Sequence, residues 1–275
     1  MKHIRLFSTV SERTSVVNDH PYDNILSYTK ENNGLLISRS MPNDEIWYTT
    51  PNGNVITLLF TDVFGANIIS NTYTNGKGVI KFDGPVTSVK FASYNEETEE
   101  LDSPLISTIQ LPNSVTTIDS FAFSGCTTLE SIKIPNSVTT IGDYAFAVCE
   151  SLTSIAIPNS VTSIRDYTFY GCGLTSVTIP DGVTIIGSSV FNECTSLVSV
   201  TIPDGVTSIG SYAFGSCTGL ASIVCMPTTP PILSNTNSFY NTNNCPIYVP
   251  AASVDTYKAA SRWSSLASRI QAIQS

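Results

Sequence analysis

Charged and metal-binding side chains are scarce in this 275-residue sequence: Asp, Glu, Lys and Arg together make up 13%, and there are only two histidines. Between residues 113 and 250 the only basic side chains are Lys133 and Arg165, against eight acidic ones. A nucleic-acid-binding surface needs clustered Lys and Arg opposite the phosphates. This distribution and the net charge of −9 therefore argue against a nucleic-acid partner.

Long apolar runs are also missing. No stretch approaches the roughly 20 apolar residues that a transmembrane helix needs, so we expect no membrane insertion. The N-terminal MKHIRLFSTVSERTS carries basic residues, but it lacks the apolar centre and the small-residue cleavage site of a secretory signal peptide. The expectation is therefore that this sequence contains no signal peptide.

Recognisable catalytic motifs are absent as well. There is no G-x-S-x-G, no H-E-x-x-H, no P-loop and no Gly-rich dinucleotide fingerprint. His3 and His20 both lie near the N-terminus, which leaves no histidine for a triad farther along the chain. Asp181 and Asp204 occupy equivalent PDG sequences and could pair as glycosidase carboxylates, but that context favours a role in turns. We therefore predict a protein that is not an enzyme and has no cofactor.

Repetition is what the sequence has in abundance. The phrase IPNSVTTIGDYAFAVCESLTS (residues 134–154) recurs with steps of 23, 23, 22 and 23 residues. Its proline, phenylalanine and cysteine keep this spacing over five copies: Pro112, Pro135, Pro158, Pro180 and Pro203; Phe123, Phe146, Phe169, Phe191 and Phe214; Cys126, Cys149, Cys172, Cys194 and Cys217. The short step arises in GCGL, where Cys172 and Leu174 are one residue closer than their equivalents. A fixed period near this length is typical of a solenoid.

The repeated pattern reads L-x-x-I-x-I-P-x-x-V-T-x-I-x-x-x-A-F-x-x-C. Its opening alternates apolar and polar residues, which predicts a short strand with one buried face. Proline ends the strand, Asn-Ser or Asp-Gly forms a turn, and V-T-x-I forms a second extended segment. The A-F-x-x-C stretch has room for a single turn. One copy cannot bury its own apolar side chains, so stacked copies must form a continuous core.

The strand pattern L-x-x-I-x-I resembles that of leucine-rich repeats, and the full phrase IPxSVTxIGxxAFxxC resembles the BspA-like leucine-rich-repeat family of Bacteroides and related microbes. The resemblance extends from Leu105 to Ile223. It implies a β-rich solenoid, a right-handed leucine-rich-repeat superhelix of short parallel strands with capping segments at both ends. It also implies a cell-surface or secreted location and an adhesin-like activity toward host or microbial proteins or glycans.

Four segments are predicted along the chain. They are a small N-terminal segment of unknown fold (1–45), an N-terminal cap with degenerate repeats (46–104), the repeats (105–250) and a C-terminal cap (251–275). The acidic stretch NEETEELD (95–102) interrupts the second segment. In the C-terminal cap, an apolar face is expected from Val254, Tyr257, Trp263, Leu266, Ile270 and Ile273, with Ser253 as a helix N-cap.

The five cysteines in step with the repeat are interpreted as buried core residues. One thiol in each copy, with no C-x-x-C, does not fit a metal site. Side chains that point the same way in successive copies also cannot all pair as disulfides. Cys225 and Cys245 lie outside this series, and a disulfide between them remains an alternative.

Two surfaces are candidates for ligand binding. The strand face presents two outward columns, which comprise Ser131, Ser154, Ser176, Ser199 and Ser222, and Lys133, Ala156, Thr178, Thr201 and Val224. The aromatic column lies just before the A-F pair and comprises Phe121, Tyr144, Tyr167, Ser189 and Tyr212. Tyrosine is enriched in binding surfaces. Alternatively, the strand face is only solvated, and the aromatic column only covers the edge of the core.

Three functions follow from these features. The leading hypothesis is a non-catalytic, adhesin-like protein that binds an extracellular protein or glycan. Its predicted site comprises Phe121, Tyr144, Tyr167 and Tyr212, with Lys133, Thr178 and Thr201 of the strand face. The alternative is a structural component of an envelope or virus-like assembly, docked through residues 1–45. A polysaccharide hydrolase is third, since it needs two carboxylates that face one groove.

Overall fold

The computed structural model of the protein describes residues 28–30, 36–38, 41–58, 62–95 and 100–274. The chain divides into two compact parts, Met1–Pro42 and Asn43–Ser275. In the first part, strands β1 (Tyr28–Lys30) and β2 (Leu36–Ser38) pair antiparallel. The rest of the N-terminal segment 1–45, for which no fold was predicted, lies outside the described residues, apart from 41–45.

The second part begins with an antiparallel sheet, formed by β3 (Glu45–Thr49), β4 (Ile68–Thr74) and β5 (Lys77–Phe82). The remaining strands are short: β6 (Ser88–Val89), β7 (Ser93–Asn95), β8 (Glu100–Asp102), β9 (Thr108–Gln110), β10 (Thr117–Ile118), β11 (Ser131–Lys133), β12 (Thr140–Ile141), β13 (Ser163–Ile164), β14 (Ile185–Ile186), β15 (Ser199–Ile202), β16 (Ser208–Ile209), β17 (Ser222–Cys225), β18 (Ile232–Leu233), β19 (Ile247–Val249) and β20 (Ile270–Ala272). The α-helix among the described residues, α1, spans Val254–Ala259.

Six repeats can be delimited by their first buried aliphatic residue and their cysteine. They are repeat 1 (106–126), repeat 2 (129–149), repeat 3 (152–172), repeat 4 (174–194), repeat 5 (197–217) and repeat 6 (220–245). The opening strands pair in parallel as β9–β11 and as β15–β17–β19–β20, and the V-T-x-I strands as β6–β10–β12 and as β13–β14–β16–β18. Equivalent residues face each other, as in Ile186 opposite Ile209. The predicted β-rich fold with parallel sheets and little helix is therefore confirmed.

A column of stacked phenyl rings fills the centre of the repeats. Its members are at most 2% exposed: Phe91, Phe123, Phe146, Phe169, Phe191, Phe214 and Phe239. Neighbouring rings in this column lie nearly parallel, as for Phe146 and Phe169, whose centroids are 5.6 Å apart at 10°. The repeat thus places the same side chain at the same depth in every copy, which gives one continuous core.

The A-F-x-x-C stretch forms a third hydrogen-bonded face of the stack. The Phe123 N–H donates to the carbonyl of Ala145 at 2.7 Å. The Phe146 N–H donates to the carbonyl of Thr168 at 2.9 Å, and later repeats continue the pattern. Each copy therefore has a tight turn at the place where a single turn was expected. Alternate backbone N–H groups of this turn donate to carbonyl oxygens of the following repeat.

A seam separates repeats 2 and 3 on both strand faces. Residues 100–274 are all described, and within them β12 does not pair with β13, nor β11 with the segment 154–156. The third face stays bonded across the same junction. Both sheets are therefore divided at one place in the stack.

We infer that Arg165 causes the seam. It occupies a column that is glycine in repeats 2, 4 and 5, where the backbones of neighbouring repeats approach closely. A Cβ atom on Gly142 would lie 2.4 Å from the Ser120 nitrogen, and one on Gly210 would lie 2.4 Å from the Gly187 carbonyl carbon. The Cβ of Arg165 therefore holds repeat 3 away from repeat 2. In repeat 1 the column holds Asp119, and β10 still pairs with β6. The preceding copy runs from Lys90 directly into Phe91 of the phenyl column, so it has no counterpart of Ser120, the residue that a Cβ atom on Gly142 would meet.

Both ends of the stack are covered. At the N-terminal end, β3 pairs antiparallel with β9 and with β5, so the first parallel strand has no open edge. At the other end, β20 extends the parallel sheet beyond β19. Most of the apolar face predicted for the C-terminal cap is buried, namely Tyr257, Trp263, Leu266 and Ile270.

Side chains of the C-terminal cap donate hydrogen bonds to backbone carbonyl oxygens of repeat 6. The Tyr257 hydroxyl donates to the Pro227 carbonyl at 2.7 Å, and the Trp263 indole N–H donates to the Pro231 carbonyl at 2.8 Å. Ser253 occupies the N-cap position of α1, as predicted, but its side chain makes no capping hydrogen bond. Its hydroxyl donates instead to the carbonyl of Thr228, at 2.8 Å, because this carbonyl faces the cap.

All seven cysteines are buried free thiols, which confirms their interpretation as core residues. The thiols bond backward along the stack, as Cys149 does to the Phe123 carbonyl at 3.2 Å and Cys172 to the Phe146 carbonyl at 3.0 Å. Cys225 and Cys245, for which a disulfide was an alternative, are unpaired, and the Cys225 sulfur lies 3.4 Å from the Tyr257 hydroxyl oxygen.

Thiol reactivity should report this burial. Burial raises the pKa of Cys126, Cys217 and Cys225 to about 12, so these thiols stay protonated at pH 8. We expect Ellman's reagent to react with almost no thiol in the native protein at pH 8, and with all seven in concentrated guanidinium chloride. Rapid reaction of several thiols without denaturant would contradict the buried column.

Candidate binding surface

Three members of the aromatic column form a face-to-face stack. The rings of Phe121 and Tyr144 have centroids 4.8 Å apart at 4°, and those of Tyr144 and Tyr167 lie 4.4 Å apart at 4°. All three side chains are half-buried. Because the faces lie against each other, a partner would meet ring edges and hydroxyl groups rather than open ring faces.

The aromatic column has a left-handed backbone. The φ angles are positive throughout: 62° at Phe121, 57° at Tyr144, 56° at Tyr167, 52° at Ser189 and 53° at Tyr212. Glycine adopts this conformation without strain, whereas a bulky residue there is uncommon and disfavoured. No repeat uses glycine at this position, although the other positive-φ column of the same turns contains Gly125 and Gly171. The interactions of the aromatic side chains therefore compensate for the conformational strain of the backbone at these positions.

Carboxylates border the stack. Asp143 accepts a bond from the Asp166 N–H at 3.2 Å, and Asp166 accepts one from the Ser188 N–H at 2.7 Å. Arg165 lies 4.0 Å from Asp143, with both side chains well exposed. Desolvation, and then the neighbouring Tyr167 and carboxylates, raises the pKa of Tyr144, so its phenol remains a neutral hydrogen-bonding group.

The column is interrupted at Ser189, which is 5% exposed. Tyr212 lies beyond this gap and contacts Tyr240 instead, edge to face with centroids 6.0 Å apart at 75°. The Asn237 side-chain amide donates to the Tyr212 hydroxyl at 2.9 Å. The predicted aromatic residues are thus divided into a stack of three and a separate tyrosine pair.

Sequence reasoning missed two tyrosines of this surface. Tyr170 packs on Tyr167 with centroids 6.0 Å apart at 61°, and Tyr240 forms the pair with Tyr212. Tyr170 directly precedes the irregular GCGL, which was a signal that this position differs from its equivalents. Tyr240 follows Phe239, a phenylalanine that continues the repeat.

The three strand-face residues of the predicted site, Lys133, Thr178 and Thr201, are exposed but do not form one continuous surface. Lys133 is in β11, Thr178 pairs with Ala156 through an isolated bridge, and Thr201 is in β15. The seam lies between Lys133 and the two threonines. The hydroxyl-rich part of the strand face therefore begins after the seam.

The described residues offer little else that suggests chemistry. They contain no group of three or more His, Cys, Asp and Glu that could hold a metal ion. Asp181 and Asp204 are exposed in equivalent turns. No helix in this part of the chain combines the length and apolar character needed to span a bilayer.

Short parallel strands that pair at a fixed repeat length over a stacked apolar column define a leucine-rich-repeat protein. The chain belongs to the BspA-type leucine-rich-repeat family. The profile described as "BspA type Leucine rich repeat region" matches residues 101–173 and 139–260, with six copies. The resemblance seen in the sequence is thereby confirmed.

Several solved leucine-rich-repeat proteins are similar to the chain. A T. pallidum leucine-rich-repeat protein shares 31% identity over 56% of this chain and 67% of its own, with a TM-score of 0.46. A protein from Bacteroides ovatus shares 25% identity over 61% of this chain and 54% of its own, with a TM-score of 0.39. The pneumococcal vaccine antigen PcpA shares 21% identity over 60% of this chain and 40% of its own, with a TM-score of 0.49. No curated protein sequence matches the chain.

Proposed function

We propose that this protein is a non-catalytic, adhesin-like binding protein of the cell surface or of secretion, which recognises an extracellular protein or glycan. Its repeats would wind as a right-handed solenoid and present a continuous outer surface. Family membership supports the general role, since leucine-rich-repeat proteins often bind other proteins. The proposed binding surface is the aromatic column, with the hydroxyl-rich strand face as a second contact.

The observation that carries the proposal is the strained aromatic stack. Tyr144 and Tyr167 keep aromatic rings at φ values of 57° and 56°, where glycine would relax the backbone. Filling the core does not require them, because Ser189 occupies the same column with the Phe column intact beside it. Strained positions are most often kept where a side chain serves function.

A triple variant, Tyr144→Ser with Tyr167→Ser and Tyr212→Ser, tests the proposal. Serine suits the backbone there, as Ser189 shows, so the fold should be retained. Purified protein is applied to an array of extracellular matrix proteins and glycans, and the affinity of each positive is measured by biolayer interferometry. We expect saturable binding of the native protein and a loss of about tenfold or more in the variant, the scale of a binding hot spot.

A control variant distinguishes the aromatic column from the strand face as the binding surface. The matched control carries Lys133→Ala, Thr178→Ala and Thr201→Ala, and should bind within about threefold of the native protein if the strand face is secondary. If the loss appears in this control and not in the tyrosine variant, the site belongs on the strand face. Absence of binding to the whole array would contradict the adhesin proposal.

A second candidate is a structural role in an envelope or virus-like assembly, docked through residues 1–45. It is favoured by the division of the chain after Pro42, which sets Met1–Pro42 apart from the unit that contains the repeats. Removal of residues 1–42 should then abolish co-assembly with envelope or particle material while the repeats keep their circular dichroism spectrum. Unchanged assembly would rule out docking through this part.

A further inference from the structure

The link between repeats 3 and 4 is one residue shorter than the other links between repeats. Gly173 alone separates Cys172 from Leu174, whereas two residues stand at this place in the adjacent repeats. The Gly173 N–H donates to the Cys149 carbonyl at 3.3 Å, and a Cβ atom on Gly173 would lie only 2.0 Å from the Glu150 carbonyl oxygen. The turn is thus drawn inward against repeat 2.

A groove crosses the repeats at this inward turn. Its walls include Glu150 of the turn before, and Glu193, Thr195 and Ser196 of repeat 4 and the turn that follows it. Gly173 forms part of its floor. The groove lies beside the link that is one residue short.

Tyr170 supplies an aromatic wall. Its column otherwise holds Ser124, Ala147, Asn192, Gly215 and Tyr240, so among repeats 1 to 5 only repeat 3 has a ring at this position. The ring of Tyr170 contacts Tyr167 of the aromatic column. Burial and then the nearby Glu193 carboxylate raise the pKa of the Tyr170 phenol to about 12. The groove and the aromatic stack are therefore contiguous through Tyr170.

The charge of the groove has one sign. Glu150 and Glu193 are exposed, and the lining residues include no Lys, Arg or His. Glu193 has φ 63° in a column that is glycine in repeats 1 and 3, so its carboxylate is displayed from a strained backbone. Of the two bases between residues 113 and 250, Arg165 lies beside Asp143 and Lys133 is on the strand face.

We propose that this groove binds a Lys or Arg side chain of a protein partner. A cation in the groove is attracted by the carboxylates of Glu150 and Glu193, with which it can form charge-assisted hydrogen bonds, and the ring of Tyr170 can add a cation–π interaction. The proposal rests on the binding function proposed above. It specifies that the protein partner has a basic residue next to a segment that contacts the aromatic stack. An anionic group would be repelled at the same place.

The test uses the full chain and a fluorescein-labelled octa-arginine peptide, with binding followed by fluorescence polarisation in low salt. Glu150→Gln with Glu193→Gln should weaken binding about tenfold or more, since both carboxylates are lost. Tyr170→Asn, which leaves the charge unchanged and places the residue found at Asn192, should weaken it about threefold. A control pair, Glu130→Gln with Asp204→Asn, removes the same charge from exposed sites elsewhere and should have an effect of less than about threefold.

Three outcomes would overturn the proposal that the groove binds a basic side chain. Equal losses in the two doubly substituted proteins, with Tyr170→Asn unchanged, would mean attraction to the overall negative charge and would overturn the proposal. Binding of a neutral oligosaccharide that depends on Tyr170 but not on the two glutamates would assign the groove to a glycan and overturn it as well. Array binding that survives while octa-arginine shows no dependence on the groove would refute this inference and leave the proposed function standing.

Discussion

Phe169→Ala is expected to lower the free energy of unfolding by about 3–5 kcal/mol, the usual cost of removing a buried phenyl ring. Phe169 is fully buried, and its ring is stacked between those of Phe146 and Phe191, at centroid distances of 5.6 and 5.5 Å. The substitution leaves a cavity in the middle of the column, where neither neighbouring repeat can move in without losing its own hydrogen bonds. The largest destabilisation should therefore come from a central rung.

Denaturant unfolding followed by both fluorescence and circular dichroism measures this effect. Two probes are needed because a stack of repeats can unfold in parts. Val198→Ala is the matched control, since Val198 is apolar but 53% exposed, and it should cost less than about 0.5 kcal/mol. A cost below about 1 kcal/mol for Phe169→Ala would show that the phenyl column is not the main source of stability.

Gly210→Ala should cost about 2–3 kcal/mol, although replacing glycine by alanine normally stabilises a compatible site by about 0.4–1 kcal/mol. The new Cβ would lie 2.4 Å from both the Gly187 carbonyl carbon and the Ser188 nitrogen. Backbone atoms cannot turn aside as a flexible side chain would. Repeat 5 would have to separate from repeat 4 on this face, as repeat 3 does from repeat 2.

Gly182→Ala is the control for this prediction. A Cβ atom on Gly182 would meet the Asn159 carbonyl oxygen at 3.4 Å, an ordinary contact distance, so a change within about 0.5 kcal/mol is expected. Denaturation of both variants under the same conditions makes the comparison. Equal stability of the two variants would contradict the argument from close approach.

Arg165→Gly is the converse experiment. Removal of the Cβ should let β12 and β13 pair, as β14 and β16 do in the regular part of the stack. We expect slower amide hydrogen exchange at residues 162–165, which the seam leaves without the inter-repeat bonds found at equivalent positions. Unchanged exchange there would mean that Arg165 is not the cause of the seam.

The sequence alone determined the stacked architecture, because every copy repeats the same apolar positions. Phe169 and Cys172 could be assigned to the core from spacing, since residues at equivalent positions of stacked copies must share one environment. The same logic found most of the aromatic column. A single sequence is sufficient to detect this periodicity.

The tertiary structure decided what depends on distances between repeats. The spacing of Tyr144 and Tyr167 did not reveal their stacked rings or their positive φ values, since both follow from the path of the turn between two bonded neighbours. The seam at Arg165 arises from a Cβ atom where adjacent backbones leave room only for glycine. The groove at Gly173 lies beside the link that is one residue short, and its aromatic and acidic walls come from the repeats on either side. The repeat pattern predicts which type of residue occupies each column. The structural effect of a departure from the pattern depends on the contacts between neighbouring repeats, which only the tertiary structure shows.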